Sequence, residues 1–224
     1  LQTEPGYLPA AQVYYDLVDQ CQIPSVSAAP SSADLERAKH LVLTELLGEF
    51  PFTGPSEIAH AVALLLLPFV REMIPGLTPL HLIEKPSAGT GASLLADVLL
   101  YPALGRSAPV MTEASSGEEW RKRLTAKLLE GPRAILIDNV RGELDAAALA
   151  AAITATVWED RILGHSIVAR IPVRCAWIAT GNNPELSLEV ARRSIRIRMD
   201  AKLDRPWLRK EFRHPNLREW ARDH

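Results

Sequence analysis

From Pro79 to Met199, short apolar segments alternate with stretches of helical periodicity, and this constrains the chain more than any other feature. Leu80–Glu84, Pro109–Thr112, Ala134–Asp138, Val173–Thr180 and Ser194–Met199 read as strands. Between them, Ala92–Leu100, Gly117–Leu129 and Leu144–Thr156 read as helices. Strands that are apolar at nearly every position are covered on both faces, which is the pattern of a parallel sheet between two helical layers. The expected fold is therefore α/β with three layers. Residues 1–78 read as helical: a short helix over Ala10–Gln20, one capped by Ser31 or Ser32 and running to Glu49, and one from Gly54 to Met73. The second has an apolar face of Leu35, Ala38, Leu41, Val42 and Leu46, and the third is apolar nearly all round and so expected to be buried. We divide the chain into an N-terminal helical subdomain, 1–78, and a core, 79–224.

Charge and cysteine content exclude several classes. The 224 residues carry a net charge of −2 with 47% hydrophobic and 23% charged residues, which is the balance of a globular chain and not a disordered one. The longest apolar run, Ala61–Val70 within Ile58–Val70, is shorter than the roughly 20 residues a bilayer-spanning helix needs. No basic-then-apolar leader opens the chain, and it starts at Leu1, so we expect a soluble, intracellular piece of a longer protein. Cys21 and Cys175 cannot build a disulfide framework, and the six histidines show no metal-ligand spacing. Residues 161–224 hold 14 Lys/Arg against 7 Asp/Glu, whereas the rest holds 11 against 20. A basic segment on an acidic body suits a polyanionic partner or a subunit contact.

Four segments carry chemistry. Pro86-Ser87-Ala88-Gly89-Thr90-Gly91-Ala92-Ser93 lies between a strand and a helix and has the spacing of a phosphate-binding loop, G-x-x-x-x-G-K-[ST]. Gly89 and Gly91 let the backbone curl so that amides point inward, the helix N-terminus adds positive potential, and Ser93 would ligate magnesium. Pro86 replaces the first glycine and Ala92 the lysine. A plain tight turn has the same Gly-Thr-Gly. The second segment, Arg133–Asn139, is an apolar strand ending in Asp138, a carboxylate suited to a metal; Asn139 follows where a water-polarising acid commonly stands. An amide orients water but does not take its proton; Glu113 and Glu143 are candidate substitutes. The third, Trp177–Pro184, ends a strand on Asn182, suited to sensing a γ-phosphate. The fourth, Ala191–Arg198, places Arg192 and Arg193 just before a strand, where an arginine reaches a neighbouring subunit's nucleotide, and gives that strand a basic face of Arg196 and Arg198.

In this order the four segments resemble the AAA+ ATPases. Among these they most resemble the superfamily 3-type helicase domains of phage and mobile-element primase-helicase proteins. The likeness covers about 79–217 and is most specific in Trp158–Gly164, Ile171-Pro172-Val173, Thr180–Asn183, Arg192-Arg193, Arg205-Pro206-Trp207 and Phe212–Pro215. It implies a P-loop core of sheet order 5-1-4-3-2, with ATP and Mg2+ as cofactors. It also implies an ATP-driven helicase or translocase acting on single-stranded or forked DNA. The active form would be a homo-oligomeric ring, with a hexamer expected, in a replication protein of bacterial or phage context that can carry a primase domain. It implies a β-hairpin over Leu163–Arg174, with arms at Ile167-Val168 and Ile171–Val173, that points into the ring channel. Arg161, His165, Arg170 and Arg174 would then contact DNA phosphates. Ala92 departs from the pattern and implies weakened ATP binding or hydrolysis. Its origin is open between a natural degenerate loop and a Lys→Ala replacement in an otherwise intact one. A non-catalytic scaffold that binds DNA or a protein is the alternative reading. A polypeptide-remodelling machine is disfavoured, because 163–174 offers no aromatic.

Overall fold

The computed structural model describes residues 6–9, 13–15, 27–162, 164 and 167–224. Strands β1 (Gly6–Leu8) and β2 (Val13–Tyr15) form an antiparallel pair. The helix expected over Ala10–Gln20 is therefore replaced by a strand at its described positions. Helix α1 (Ser32–Lys39) starts at a Ser31 cap whose Oγ accepts from Asp34 N–H at 3.2 Å, while Asp34 Oδ2 accepts from Ser31 N–H at 2.7 Å. It widens into a π-helical segment, His40–Leu46. Of the expected apolar face, Leu46 is buried, but Leu35 and Leu41 are exposed. Helix α2 (Pro55–Val70) is followed by a 3-10 turn at Arg71–Met73. It is not buried all round: Leu66 and Phe69 are 51% and 53% exposed because α2 lies in an outer layer and only one side meets the sheet.

The core follows: β3 (Leu80–Lys85), α3 (Ala92–Leu104), β4 (Val110–Met111), α4 (Gly117–Leu129), β5 (Ala134–Val140), β6 (Glu143–Leu144) and α5 (Ala147–Ile153). Next come β7 (Val157–Arg161), β8 (Val168–Pro172), β9 (Ala176–Asn182), β10 (Glu185–Leu186), α6 (Leu188–Ala191), β11 (Ser194–Arg198) and α7 (Leu217–Asp223). Five of these strands make one parallel sheet in the order β11-β3-β9-β5-β4, which is 5-1-4-3-2 when the sheet's strands are numbered along the chain.

Side-chain alternation divides the core across this sheet. Leu80, Leu82, Ile135, Ile137, Trp177 and Ala179 face α4 and α5, where Trp120, Leu124, Leu149 and Trp158 complete the cluster. Ile83, Leu136, Ile178 and Ile197 face α2 and α3, meeting Leu64, Leu95 and Leu99. The tryptophans at 120, 158 and 177 are core residues, as their apolar contexts suggest. Trp220 on α7 packs back against the second cluster, stacked between His214 and His224. Helix α2 shares that cluster with α3, so apolar packing is continuous across residues 78 and 79.

Two boundaries differ from the sequence reading. The hairpin before β9 does not use Ile167-Val168 and Ile171–Val173 as its two arms. Both stretches lie at or beside one arm, β8, and the other arm is β7, in the register Glu159↔Arg170. Trp158 and Ile171 pair across it with both side chains in the core, which fixes that pairing. The following strand starts at Ala176 because Val173 stays with the hairpin, its N–H donating to Thr156 O at 3.0 Å.

His81 lies inside β3, 3% exposed, with its Nδ1 lacking a hydrogen-bond partner. Burial is the main cause that lowers its pKa from 6.5 to about 4, and His60 on α2 adds to the shift. Between those values the unfolded chain binds a proton that the folded chain does not, so stability falls as pH falls. Urea unfolding across that range should show a loss of up to about 3 kcal/mol, and His81→Leu should remove most of that slope. An unchanged slope in the variant would contradict this assignment.

Candidate nucleotide-binding site

The C-terminal ends of β3, β5 and β9 lie on one edge of the sheet, and the N-terminus of α3 meets them there. Open α/β sheets bind ligands along that edge. The connection from β3 to α3 is the glycine-bearing segment 86–91. Gly89 and Gly91 have φ of +80° and +100°, values that a Cβ disfavours. Thr90 Oγ1 donates to Ser87 O at 2.8 Å and holds the turn closed. A Cβ on Gly89 would stand 2.9 Å from Trp207 Cβ, so the segment around Pro206 is pressed against the loop. Pro86, Ser87 and Ala88 form the outer part of the turn. Ala92 opens α3 and is 1% exposed within the α3 cluster.

Ser93, one residue into α3, donates its Oγ hydrogen to Asp138 Oδ1 at 2.9 Å. Thr180 Oγ1 donates to the same Oδ1 at 2.5 Å and accepts from Asn139 N–H at 2.9 Å. Asp138 and Asn139 lie at a bulge where the β5–β9 register shifts between Ile137 and Val140. Asn139 takes a φ of +61°, a conformation Asn tolerates better than most residues. The bulge presents Asp138 at the sheet edge, with both hydroxyls on Oδ1 and no partner on Oδ2 among the described residues. Two oxygens 2.9 Å apart match adjacent ligands of an octahedral magnesium, for which bonds of about 2.1 Å give about 3.0 Å. Ser93 and Asp138 therefore fit that ion. Among the described residues no cluster of three His, Cys, Asp or Glu forms a metal cage, so the remaining positions would fall to water and phosphate.

Asn182 ends β9, and its Oδ1 accepts from Lys85 Nζ at 2.6 Å. Lys85 is 9% exposed. Burial lowers its pKa, and the field of Asp138 partly restores it. Neither Lys85 nor Thr180 was singled out from the sequence. The one available signal was a charged pair, Glu84-Lys85, closing an otherwise apolar strand. Glu84 is 2% exposed and receives Arg196 Nη1 at 3.2 Å and Arg198 Nη1 at 3.0 Å. The expected basic face of β11 is thus a clamp on a buried carboxylate.

Beside the loop lies a cavity of about 220 Å³, walled by Phe50, Gly91, Leu94, Pro206, Arg209 and Phe212. Arg209 stacks over the Phe212 ring at 4.7 Å. Mostly apolar walls with a few polar groups suit a flat heterocycle.

The remaining predicted residues lie elsewhere. Arg192 and Arg193 precede β11, whose N-terminal end pairs with the N-terminal end of β3, away from the loop. Arg193 is tied back to Glu189, by 2.6 Å to Oε2. Arg192 is exposed and has no ion pair among the described residues. On the hairpin, Arg161 closes β7, and Arg170 pairs with Glu159 at 2.8 Å. Arg174 lies past β8 and pairs with Glu72 at 3.1 Å, so two of the proposed phosphate contacts are already engaged by carboxylates. His165 lies outside the described residues. Glu113 Oε2 is held by Arg141 N–H at 2.9 Å, and Glu143 is exposed on β6.

No family model matches the chain, and no curated protein matches it. Solved structures similar to it include two of JCV helicase. One is JCV helicase bound to N-(4-(2-(thiazolo[5,4-c]pyridin-2-yl)phenoxy)phenyl)acetamide, at 14% identity and a TM-score of 0.41, covering 75% of this chain and 50% of that one. The other is an X-ray structure of JCV helicase, at 15% identity and 0.37, covering 75% and 55%. The chain spans about half the length of these neighbours.

Thr180→Val keeps the side-chain shape but removes both bonds at Oγ1. We expect a stability loss of about 1–3 kcal/mol by urea unfolding, with Thr180→Ser losing less. Equal stability of Thr180→Val and the unaltered chain would show that the Asp138 contact is dispensable.

Proposed function

We propose that this chain is the nucleotide-dependent motor module of a DNA helicase or translocase, binding ATP with Mg2+ and working as a ring of identical subunits. The observation that carries the reading is the convergence of Ser93, Asp138 and Asn182 below a loop whose two glycines adopt left-handed backbone. The sheet order 5-1-4-3-2 agrees with the order the AAA+ resemblance implies.

In this reading, segment 86–93 wraps the phosphates with backbone amides, and the cavity walled by Phe50 and Phe212 takes the base. Magnesium, held by Ser93 and Asp138, would neutralise phosphate charge. Thr180 fixes the rotamer of Asp138, leaving Oδ2 to orient water. Asn182 would sense the terminal phosphate through its amide. Asn139 contributes backbone geometry and can orient water, but it takes no proton. Arg192, exposed and remote from its own loop, is the better of the arginine pair for completing a neighbour's site. Arg193 is occupied by Glu189. The β7–β8 hairpin is the candidate DNA element, with Arg161 and Arg170 on it and Arg174 just past it as its cations, the latter two exchanging their exposed carboxylate partners for phosphate.

Ala92 limits turnover. Ala92 is 1% exposed in the α3 cluster, so a lysine there would have to carry its ammonium out of the cluster toward the loop, the N-terminal direction in which first-turn side chains lean. Ala92→Lys should raise steady-state ATP hydrolysis by about 100-fold, the scale of one well-placed charge-stabilising donor, and single-stranded DNA should raise it further. Hydrolysis in neither form, with rings still assembling, would replace the motor reading by a non-catalytic scaffold.

A further inference from the structure

We infer that Lys85, the last residue of β3, supplies the phosphate-binding cation that Ala92 does not, holding the nucleotide from the strand side of the loop instead of the helix side. The inference rests on the nucleotide-site reading above and deepens it by naming the group that retains the triphosphate.

Four observations carry it. Lys85 immediately precedes Pro86, the first residue of the loop. By strand alternation it shares a face with Ile83, the α3 side of the sheet. Asp138, Thr180 and Asn182 lie on the same side by the alternation of Leu136 and Ile178, and Lys85 is bonded to the last of them. Lys85 is 9% exposed as a residue, and among the described residues its ammonium forms no ion pair and one hydrogen bond, to the neutral amide oxygen of Asn182 at 2.6 Å, with Asp138 acting on it only through its field. Burial of the cation carries a cost that the Asp138 field offsets only in part and that an incoming anion relieves. An ammonium has three donors, and one is used. The remaining two are available to phosphate oxygens at the sheet edge where Ser93 and Asp138 fit a magnesium.

The arrangement also explains why Glu84 is not the partner. Glu84 is adjacent in sequence, but alternation sends its side chain to the opposite face, where Arg196 and Arg198 hold it. The two basic residues of β11 therefore neutralise the carboxylate adjacent to Lys85 in sequence, and the field of Asp138 is left to offset the Lys85 charge in part.

The test compares the unaltered chain with Lys85→Met, Ala92→Lys and the double variant Lys85→Met/Ala92→Lys. Each is titrated with MgATP and separately with adenosine, by calorimetry or NMR. Losing one charge-assisted contact should weaken MgATP by about 10–100-fold in Lys85→Met. Adenosine, which has no phosphate, should bind Lys85→Met as it binds the unaltered chain. The double variant should regain MgATP affinity, because the cation has been moved to the helix side. Should Lys85→Met not fold, acylation of the unaltered chain read by mass spectrometry serves instead: ATP should protect Lys85, and adenosine should not.

Equal MgATP affinity in Lys85→Met and the unaltered chain would overturn the inference and leave the nucleotide site standing. A parallel loss of ATP and adenosine binding would also overturn it, making Lys85 a structural residue. Binding by Ala92→Lys alone, with none by the unaltered chain, overturns it as well, because Lys85 would then not stand in for the missing lysine. Absence of ATP binding in every form would remove the nucleotide-site reading itself and this inference with it. Acylation of Lys85 that saturating ATP does not slow is a fifth contrary result.

Discussion

One oxygen of one carboxylate organises the loop end of this molecule. Asp138 Oδ1 receives the hydroxyl of Ser93 from α3 and that of Thr180 from β9, so a helix and two strands are joined at a single point. Thr180 also accepts the Asn139 amide, which stabilises the bulge that aims Asp138 outward. The bulge interrupts the β5–β9 pairing between Ile137 and Val140, at the strand end that carries Asp138. The parallel register of β3, β5 and β9 is what brings these residues to the same edge.

Electrostatic compensation near that edge is divided by the sheet. On one face, Glu84 is buried and satisfied by two arginines whose side chains remain partly exposed. On the other, Lys85 is hydrogen-bonded to Asn182 and lies in the field of Asp138, with no carboxylate at ion-pair distance among the described residues. Successive residues of one strand thus have opposite charges in separate environments, and the two cannot neutralise each other through the backbone. A buried carboxylate with one of its partners removed is strongly destabilising, which argues that the Arg196–Glu84–Arg198 cluster serves the strand and not a polyanion.

Much of the architecture was legible because it depends on local pattern. The apolar runs at Leu80–Glu84 and Ala134–Asp138 specify strands by composition, and Ser194–Met199 does so by its alternation of isoleucine with arginine. The Gly89/Gly91 spacing specifies a turn whose backbone needs left-handed φ. Ser93 and Asp138 were recognisable as metal-suited oxygens from their places in a loop and at a strand tip, and they meet at 2.9 Å. The hairpin arms were misread because several β-branched runs in 157–173 have equal strand propensity. Burial of Trp158 opposite Ile171 selects the pairing, and burial is a tertiary quantity. The exposure of Leu66 and Phe69 on α2 was illegible for the same reason: an apolar composition states what a helix can bury, not how much neighbour there is to bury it.

What the residues determine alone is which segments are strands, which are helices, and where the chain must turn, since each follows from periods of two or 3.6 and from glycine's freedom at positive φ. What only the tertiary structure decided is partnership: Arg196 and Arg198 turned inward to Glu84, Arg193 tied to Glu189, and Lys85 at the sheet edge beside Asn182. Charges act over distances in space and are paid for in desolvation, and neither quantity exists until strands far apart in the chain lie side by side.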